Sequence, residues 1–190
     1  MKSNRLEAFS DGVLAIIITI MVLEFKTPDE PSLEALGPVL PHFISYLVSF
    51  IYLGIYWNNH HHLLQITEKV NGKILWANLH LLFWLSLIPF ASSWIGEHYN
   101  QTLPIALYGL ILLMSAIAYF ILQASIIKFH GEDFALSRAV GKDLKGKLSV
   151  IIYSLGIGCS FLNNWLAIAC YISVAGMWLI PDKRIEQNIN

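Results

Sequence analysis

The first residues that could do chemistry lie at the start of an apolar helix. Glu7, Ser10 and Asp11 stand in the turns just before a nearly unbroken apolar run, and Arg5 precedes them. As one helix, residues 5–25 would cover about 30 Å, the thickness of the hydrocarbon core of a bilayer. Ionisable groups at that depth are costly in lipid and usually face protein or water. We therefore expect this helix to line a path for water or ions.

Asp11 needs hydrogen-bond partners if it is buried in an apolar helix. The second and third apolar segments carry indole, amide and imidazole groups that suit a carboxylate. The candidates are Trp57, Asn58, Asn59, His60, His61, His62, Trp76, Asn78 and His80. One interpretation is a buried polar cluster that joins three helices. The other is direct contact with a permeant ion, and the residue types leave both open.

A row of side chains on the first helix has the spacing of a single helical face. Gly12, Ile16, Thr19 and Leu23 are separated by four, three and four residues, and Ile20 lies beside them. We call these five positions the stripe. Alone, the spacing is also typical of ordinary helix packing.

The chain as a whole has the composition of a membrane protein. It is 56% hydrophobic and 13% charged, whereas soluble domains carry about a quarter charged residues. Within one domain, 1–190, apolar segments lie at about 5–25, 39–64, 74–95, 103–129, 148–162 and 165–180. They are too long for barrel strands, so we predict an all-α, polytopic membrane protein with six transmembrane helices.

The distribution of basic residues predicts the orientation of these segments. With the amino terminus in the cytoplasm, the inside pieces hold all of the 12 lysines and arginines except Lys26. The positive-inside rule then favours six spans and two cytoplasmic termini. We see no basic tract that would bind nucleic acid, so the expected surroundings are the lipid bilayer.

Other classes of function have weaker support. Consecutive residues on a helix point about 100° apart, so His60, His61 and His62 cannot converge on one metal ion. We expect no cofactor and no enzymatic activity. A proton- or cation-coupled secondary transporter with Asp11 and His80 as a relay is an alternative, although we find no inverted repeat. A membrane protein without transport activity is a third possibility.

Three segments resemble one known family. The run R-L-E-A-F-S-D-G at 5–12 is similar to the R-x-x-x-F-S-D signature of the transmembrane protein 175 family, and T-x-M-x-L-E-x-K follows at 19–26. W-N-N-H-H-H-L-L in the second segment and W-A-N-L-H-L-L-F-W-L-S-L-I-P-F in the third are also similar to family segments. Members are potassium channels of endosomes and lysosomes, with single-repeat relatives in prokaryotes.

The resemblance implies a potassium channel of the prokaryotic cell membrane. A single six-helix repeat implies a homotetramer around a pore lined by the first helix. Ile16 would form the constriction, Thr19 would supply a pore-facing hydroxyl, and Ile20 and Leu23 would line the pore further along. Potassium, the permeant ion rather than a cofactor, would pass Ile16 and Thr19.

The resemblance also implies a supporting role for the signature residues. They would hold the first helix against the second and third, and the set with its partners is Arg5, Phe9, Ser10, Asp11, Trp57, His60, Trp76, Asn78 and His80. The sequence has no T-V-G-Y-G loop, so its filter would lack carbonyl oxygens. Isoleucine side chains can only narrow the path, and this favours potassium modestly, because potassium holds its water less tightly than sodium. Glu24 would then attract cations, or it is a solvated loop carboxylate.

Overall fold

The structure, a computed structural model, describes residues 2–131 and 143–179. Within these two stretches the regular elements are helical. The α-helices are α1 (Asn4–Ile20), α2 (Leu40–Gln65), α3 (Gly72–Ser86), α4 (Ile88–Glu97), α5 (Thr102–His130), α6 (Leu144–Ser160) and α7 (Asn164–Leu179). A long polar connection is predicted over 130–147, between the fourth and fifth segments, and its residues 132–142 lie outside the described residues. The end of the last segment at Ile180 and the charged residues that follow it lie outside them as well.

Four stretches are long and apolar enough to cross a membrane. They are Asn4–Glu24, Glu34–Gln65, Gly72–Glu97 and Thr102–His130. α6 and α7 have 17 and 16 residues, so they are shorter than the hydrocarbon core usually requires. The crossing of all six segments, and the cytoplasmic position of both termini, remain predictions.

Two of the predicted segments are not single α-helices. The first changes to a 3-10 helix at Met21–Glu24. The third, expected to be continuous, divides at Leu87 into α3 and α4. Pro89 has no N–H, so it cannot bond to the Leu85 carbonyl and continue the helix. The Leu87 N–H instead bonds to the carbonyls of Trp84 and Leu85.

α5 is at the centre of the bundle. It packs against α3, α4, α6 and α7, whereas α1 packs against α2, α3 and α4. Leu112, Ala118, Leu122 and Ile126 of α5 are completely buried. A helix that is apolar on all sides is expected in such a central position.

Two glycines allow α7 to approach α5 and α6 closely. A Cβ atom at Gly109 would lie 2.0 Å from the Tyr171 hydroxyl oxygen, and one at Gly156 would lie 2.5 Å from Tyr171 Cε1. The Tyr171 hydroxyl donates a hydrogen bond to the Ile105 carbonyl at 3.3 Å. The large Tyr171 side chain therefore occupies space that only glycine leaves free.

The start of α1 is tied to the turn between α2 and α3. The buried Ser3 donates its backbone N–H to the Glu68 carbonyl at 3.3 Å, and Lys2 and Lys69 form an isolated antiparallel bridge. The amino terminus and this turn therefore lie at the same end of the molecule.

Candidate functional site

α1 has two distinct faces. One is buried against the rest of the chain and consists of Leu6, Ser10, Leu14, Ile17 and, in the following 3-10 turn, Met21. The other face is the stripe, and the described part of the chain leaves it uncovered. Ile16 is 61% exposed and Leu23 is 77% exposed, while Gly12, Thr19 and Ile20 are exposed as well.

Thr19 is the polar member of the stripe. Its hydroxyl group lies 3.0 Å from the Ala15 carbonyl and 2.9 Å from the Ile16 carbonyl, and it donates its proton to this backbone pair. A hydroxyl oxygen carries two lone pairs. Because the proton is used within the helix, the oxygen remains available to a cation on the exposed face.

A buried set of hydrogen bonds joins the other face of α1 to α2 and α3. The Asn78 amide N–H donates to Ser10 Oγ at 2.9 Å, and the Asn78 carbonyl oxygen lies 2.7 Å from His60 Nε2. Ser10 Oγ donates to the Leu6 carbonyl at 2.8 Å. We call Ser10, Asn78 and His60 the buried bridge, since each is at most 1% exposed. His60 Nε2 carries the proton, because its partner is a carbonyl oxygen.

A second set of contacts joins α1 to α2 nearer the surface. Trp57 Nε1 donates to Asp11 Oδ1 at 3.0 Å, and His61 Nδ1 lies 3.0 Å from Glu7 Oε1. The Trp57 indole and His61 imidazole stack with centroids 5.9 Å apart and planes 19° apart. Glu7 and Asp11 are four residues apart on α1, and Trp57 and His61 are four residues apart on α2, so each pair lies on one face of its helix. We call these four residues the carboxylate seam.

Four of the predicted supporting residues do not join either set. Trp76 is 75% exposed, Phe9 is 51% exposed, and Arg5 is exposed at the helix start. His80 accepts a hydrogen bond from Trp84 Nε1 at 2.9 Å on its own helix. Since Asp11 bonds to Trp57, the structure gives Asp11 and His80 different partners and forms no direct relay between them.

The other end of α1 is attached to α4. Ser93 Oγ donates to Glu24 Oε2 at 3.0 Å, and Lys26 Nζ lies 3.4 Å from Glu97 Oε1 in an exposed ion pair. Glu24 follows Leu23, the last member of the stripe. The Glu24 carboxylate thus has a neutral partner, while the Glu97 carboxylate is paired with a cation.

Comparison with known proteins places the chain in a family. The family model described as "Endosomal/lysosomal potassium channel TMEM175" matches residues 5–89, which include the signature, the first two apolar segments and most of the third. A potassium channel of Chryseobacterium sp. is 58% identical over 189 residues, covering 100% of this chain and 98% of its own. The chain belongs to the TMEM175 family.

Two further similar proteins extend the likeness to most of the chain. A potassium channel of Streptomyces collinus is 29% identical over 181 residues, covering 90% of this chain and 88% of its own. The crystal structure of a lysosomal potassium-selective channel TMEM175 homolog from Chamaesiphon minutus superimposes with a TM-score of 0.80 at 26% identity, covering 95% of this chain and 97% of the other. The chain is therefore a helical membrane protein of an ion-channel family, and that family is not a class of enzymes.

Sequence reasoning missed half of the carboxylate seam in this TMEM175-family chain. Its residue type marks Glu7 only as an ionisable group, and His61 is one of nine candidate partners of Asp11 rather than a predicted partner of Glu7. The signal was available, because Glu7 lies one turn before Asp11 and His61 lies one turn after Trp57. Ser93, the partner of Glu24, has no comparable sequence signal, since an isolated serine in an apolar segment is common.

Proposed function

We propose that four copies of the chain surround a pore lined by α1 and conduct potassium passively across the prokaryotic plasma membrane. The observation that carries this proposal is the uncovered stripe, which runs along the face of α1 opposite its buried face. Two bacterial relatives are named as potassium channels, and this supports potassium as the permeant ion.

The composition of the exposed face favours a pore over lipid contact. Lipid-facing surfaces are evenly apolar, whereas this face carries Arg5 at one end, Gly12 and Thr19. Small residues allow helices to approach each other closely in a membrane. A face that combines a glycine, a hydroxyl group and large apolar side chains suits a narrow path around an axis.

Ile16 is the proposed constriction. Four isoleucine side chains on a ring offer no oxygen atoms, so a passing ion must keep its water or distort its hydration shell. Potassium loses water more easily than sodium, and the expected selectivity is therefore modest. Thr19 lies one turn further along, about 4.5 Å along the helix axis, where its hydroxyl oxygen would replace part of the lost hydration.

In this proposal the buried bridge and the carboxylate seam position α1. Both sets lie in the first two turns of the helix, before the stripe reaches Ile16. They hold α1 at a fixed rotation, which keeps the stripe directed away from the subunit. We therefore assign Ser10, Asp11, Asn78, His60 and Trp57 a supporting role rather than contact with the ion.

Substitution of Ile16 by Asn tests the constriction. An amide side chain would hydrate the narrow ring, so we expect sodium permeability to rise relative to potassium in planar bilayers. Val22→Asn is the matched control, since it places the same side chain on an exposed residue beside the stripe; its permeability ratio should equal that of the wild type.

Two results would contradict the proposal. An unchanged potassium-to-sodium permeability ratio in Ile16→Asn would reject Ile16 as the selectivity-determining residue. Saturable, counter-ion-dependent uptake into liposomes, without single-channel currents, would reject a pore and favour a coupled carrier.

A further inference from the structure

A second candidate site lies in a cavity of about 40 Å³ among α2, α5, α6 and α7. None of the described residues that line it belongs to α1, so the cavity is separate from the stripe. By volume it holds roughly three water molecules. Its walls are mostly aromatic, and a few polar side chains stand among the rings.

The aromatic walls meet at steep angles. The Tyr119 ring lies 6.3 Å from Tyr56 at 65° and 6.5 Å from Trp178 at 69°. The polar ends of two of these rings already have partners, since the Tyr119 hydroxyl donates to the Asn59 carbonyl at 3.1 Å and Trp178 Nε1 donates to Ser149 Oγ at 2.8 Å. What these residues offer to the cavity is therefore ring surface, as in an aromatic cage.

The polar lining consists of acceptor oxygens that are not fully used. Gln123 is only 7% exposed, and its side chain makes no hydrogen bond within the described part of the chain. The Asn59 amide N–H donates to the Ile55 carbonyl at 2.8 Å, so its side-chain oxygen remains. Asp143 accepts the Gly146 N–H at 3.1 Å with Oδ1 only. The Gln123 amide is not among the buried side-chain groups without a partner in the described ranges, so it stays accessible from the cavity that it lines.

The charge of the lining excludes several classes of ligand. The described lining contains the Asp143 carboxylate, which disfavours an anion. No group of three or more His, Cys, Asp or Glu residues in the described ranges could hold a metal ion. The Lys145 ammonium lies 5.7 Å from the Trp178 ring centroid, so this wall already attracts a cation.

We propose that this cavity binds a small alkylated ammonium group. Its methyl groups would pack against the rings of Tyr56, Tyr119 and Trp178. Its positive charge would be balanced by the Asp143 carboxylate, and the dipole of Gln123 Oε1 would stabilise it further. The group can come from a free solute such as choline or from the choline head of a lipid. This site goes beyond the proposed pore and does not depend on it.

The test uses the full-length channel in nanodiscs that contain only phosphatidylethanolamine and phosphatidylglycerol. Tetramethylammonium chloride is added in increasing concentration, and potassium chloride at the same ionic strength is the control. The midpoint of thermal unfolding is measured at each concentration. We expect a saturable rise for tetramethylammonium alone, because a ligand that binds the folded state stabilises it. The apparent dissociation constant should increase at least tenfold in Gln123→Met and in Asp143→Asn.

Control variants separate this cavity from other sites. Gln65→Met makes the same change at an exposed glutamine at the end of α2 and should bind as the wild type does. Ile16→Asn alters the proposed pore and should also leave the rise unchanged, whereas loss of the rise in Ile16→Asn with retention in Gln123→Met would overturn the proposal. If the wild type shows no saturable rise, the cavity holds water only. The same conclusion follows if Gln123→Met and Asp143→Asn bind tetramethylammonium as tightly as the wild type does.

A further arm distinguishes the two sources of the group. If phosphatidylcholine added to the nanodiscs raises the unfolding midpoint and abolishes the tetramethylammonium effect, the ligand is the lipid head. If choline chloride reproduces the effect and phosphatidylcholine leaves it unchanged, the ligand is a free solute. Either result supports the site, provided that Gln123→Met removes the response.

Discussion

Asn78 is the residue on which the buried bridge depends. Its amide donates to Ser10 on α1 and its carbonyl accepts from His60 on α2, so a single side chain connects three helices. All three groups are completely or almost completely buried. In an apolar interior, a donor that loses its acceptor finds no replacement in water.

Substitution of Asn78 by Leu should therefore destabilise the fold. The change leaves the His60 Nε2–H without an acceptor, and we expect a loss of about 1–3 kcal/mol in the free energy of unfolding. Denaturant titration in mixed micelles would measure this loss. Asn58→Leu is the matched control, because Asn58 is half-buried and its side chain makes no hydrogen bond within the described residues. Equal stability of the two variants would contradict the prediction.

Residue types and spacing predicted part of this network, and helix geometry explains the rest. Trp57 and Asn78 are both candidate partners of Asp11 by residue type. The structure pairs Trp57 with Asp11, but it pairs Asn78 with Ser10, one residue earlier. Trp76 and His80 lie two residues to either side of Asn78, which is about 200° around a helix. Trp76 and His80 therefore lie on the opposite side of α3 from the Asn78 contacts. Residue type alone does not separate them from Asn78.

At the scale of elements, the way α7 fits against α5 and α6 depends on local space that periodicity does not describe. Gly156 and Gly158 lie on the same helix, two residues apart. Only Gly156 faces Tyr171, whereas a Cβ atom at Gly158 would meet nothing within 4 Å. The two positions therefore give a direct comparison of close packing with helix propensity.

Gly156→Ala should lower stability, while Gly158→Ala should not. The added methyl group at Gly156 would overlap Tyr171 Cε1 at 2.5 Å, and the rearrangement should cost about 1–3 kcal/mol. At Gly158 the same methyl group should be neutral, or stabilising by about 0.5–1 kcal/mol, because alanine favours a helix over glycine. Thermal unfolding of both variants in detergent would test this, and a similar loss in both would contradict it.

The helical segments could be located from the sequence because membrane depth sets their length and lipid excludes exposed backbone. The break at Leu87 could also have been predicted from Pro89, which lies inside the third segment. The 3-10 turn at Met21–Glu24 could not, since its residues suit an α-helix equally well. Its geometry depends on the chain that follows, where Phe25 is already extended.

At the scale of the whole molecule, the proposed assembly would bring the Glu24 carboxylates of all copies together in a ring. In the proposed tetramer, four Glu24 carboxylates would surround the end of the pore that follows Leu23. Their partner, Ser93, is neutral, so their charge is not cancelled. Glu97 at the same end is paired with Lys26. The number of copies comes from the family resemblance, since an uncovered stripe alone does not specify how many helices meet.

Glu24→Gln should therefore lower potassium current mainly at low salt. A ring of negative charge concentrates cations at the mouth of a pore, and its reach falls from about 30 Å at 10 mM to about 3 Å at 1 M ionic strength. We expect a several-fold loss of single-channel conductance at the lower concentration and little loss at the higher one. Glu97→Gln is the control and should change conductance much less; a loss in Glu24→Gln that is independent of salt would contradict this electrostatic role.

The attachment of α1 is uneven along its length. Ser3 is bonded to the α2–α3 turn, and the buried bridge and carboxylate seam follow within the next eight residues. Beyond Asp11, the described side-chain hydrogen bonds from α1 and its 3-10 turn to another helix reduce to the one between Glu24 and Ser93. In the proposed pore, any swing of α1 would therefore have its pivot near the amino terminus, and it would have to break the Glu24–Ser93 bond to move Leu23. With that bond broken, the bore at Leu23 would widen or close by more than the bore at Gly12.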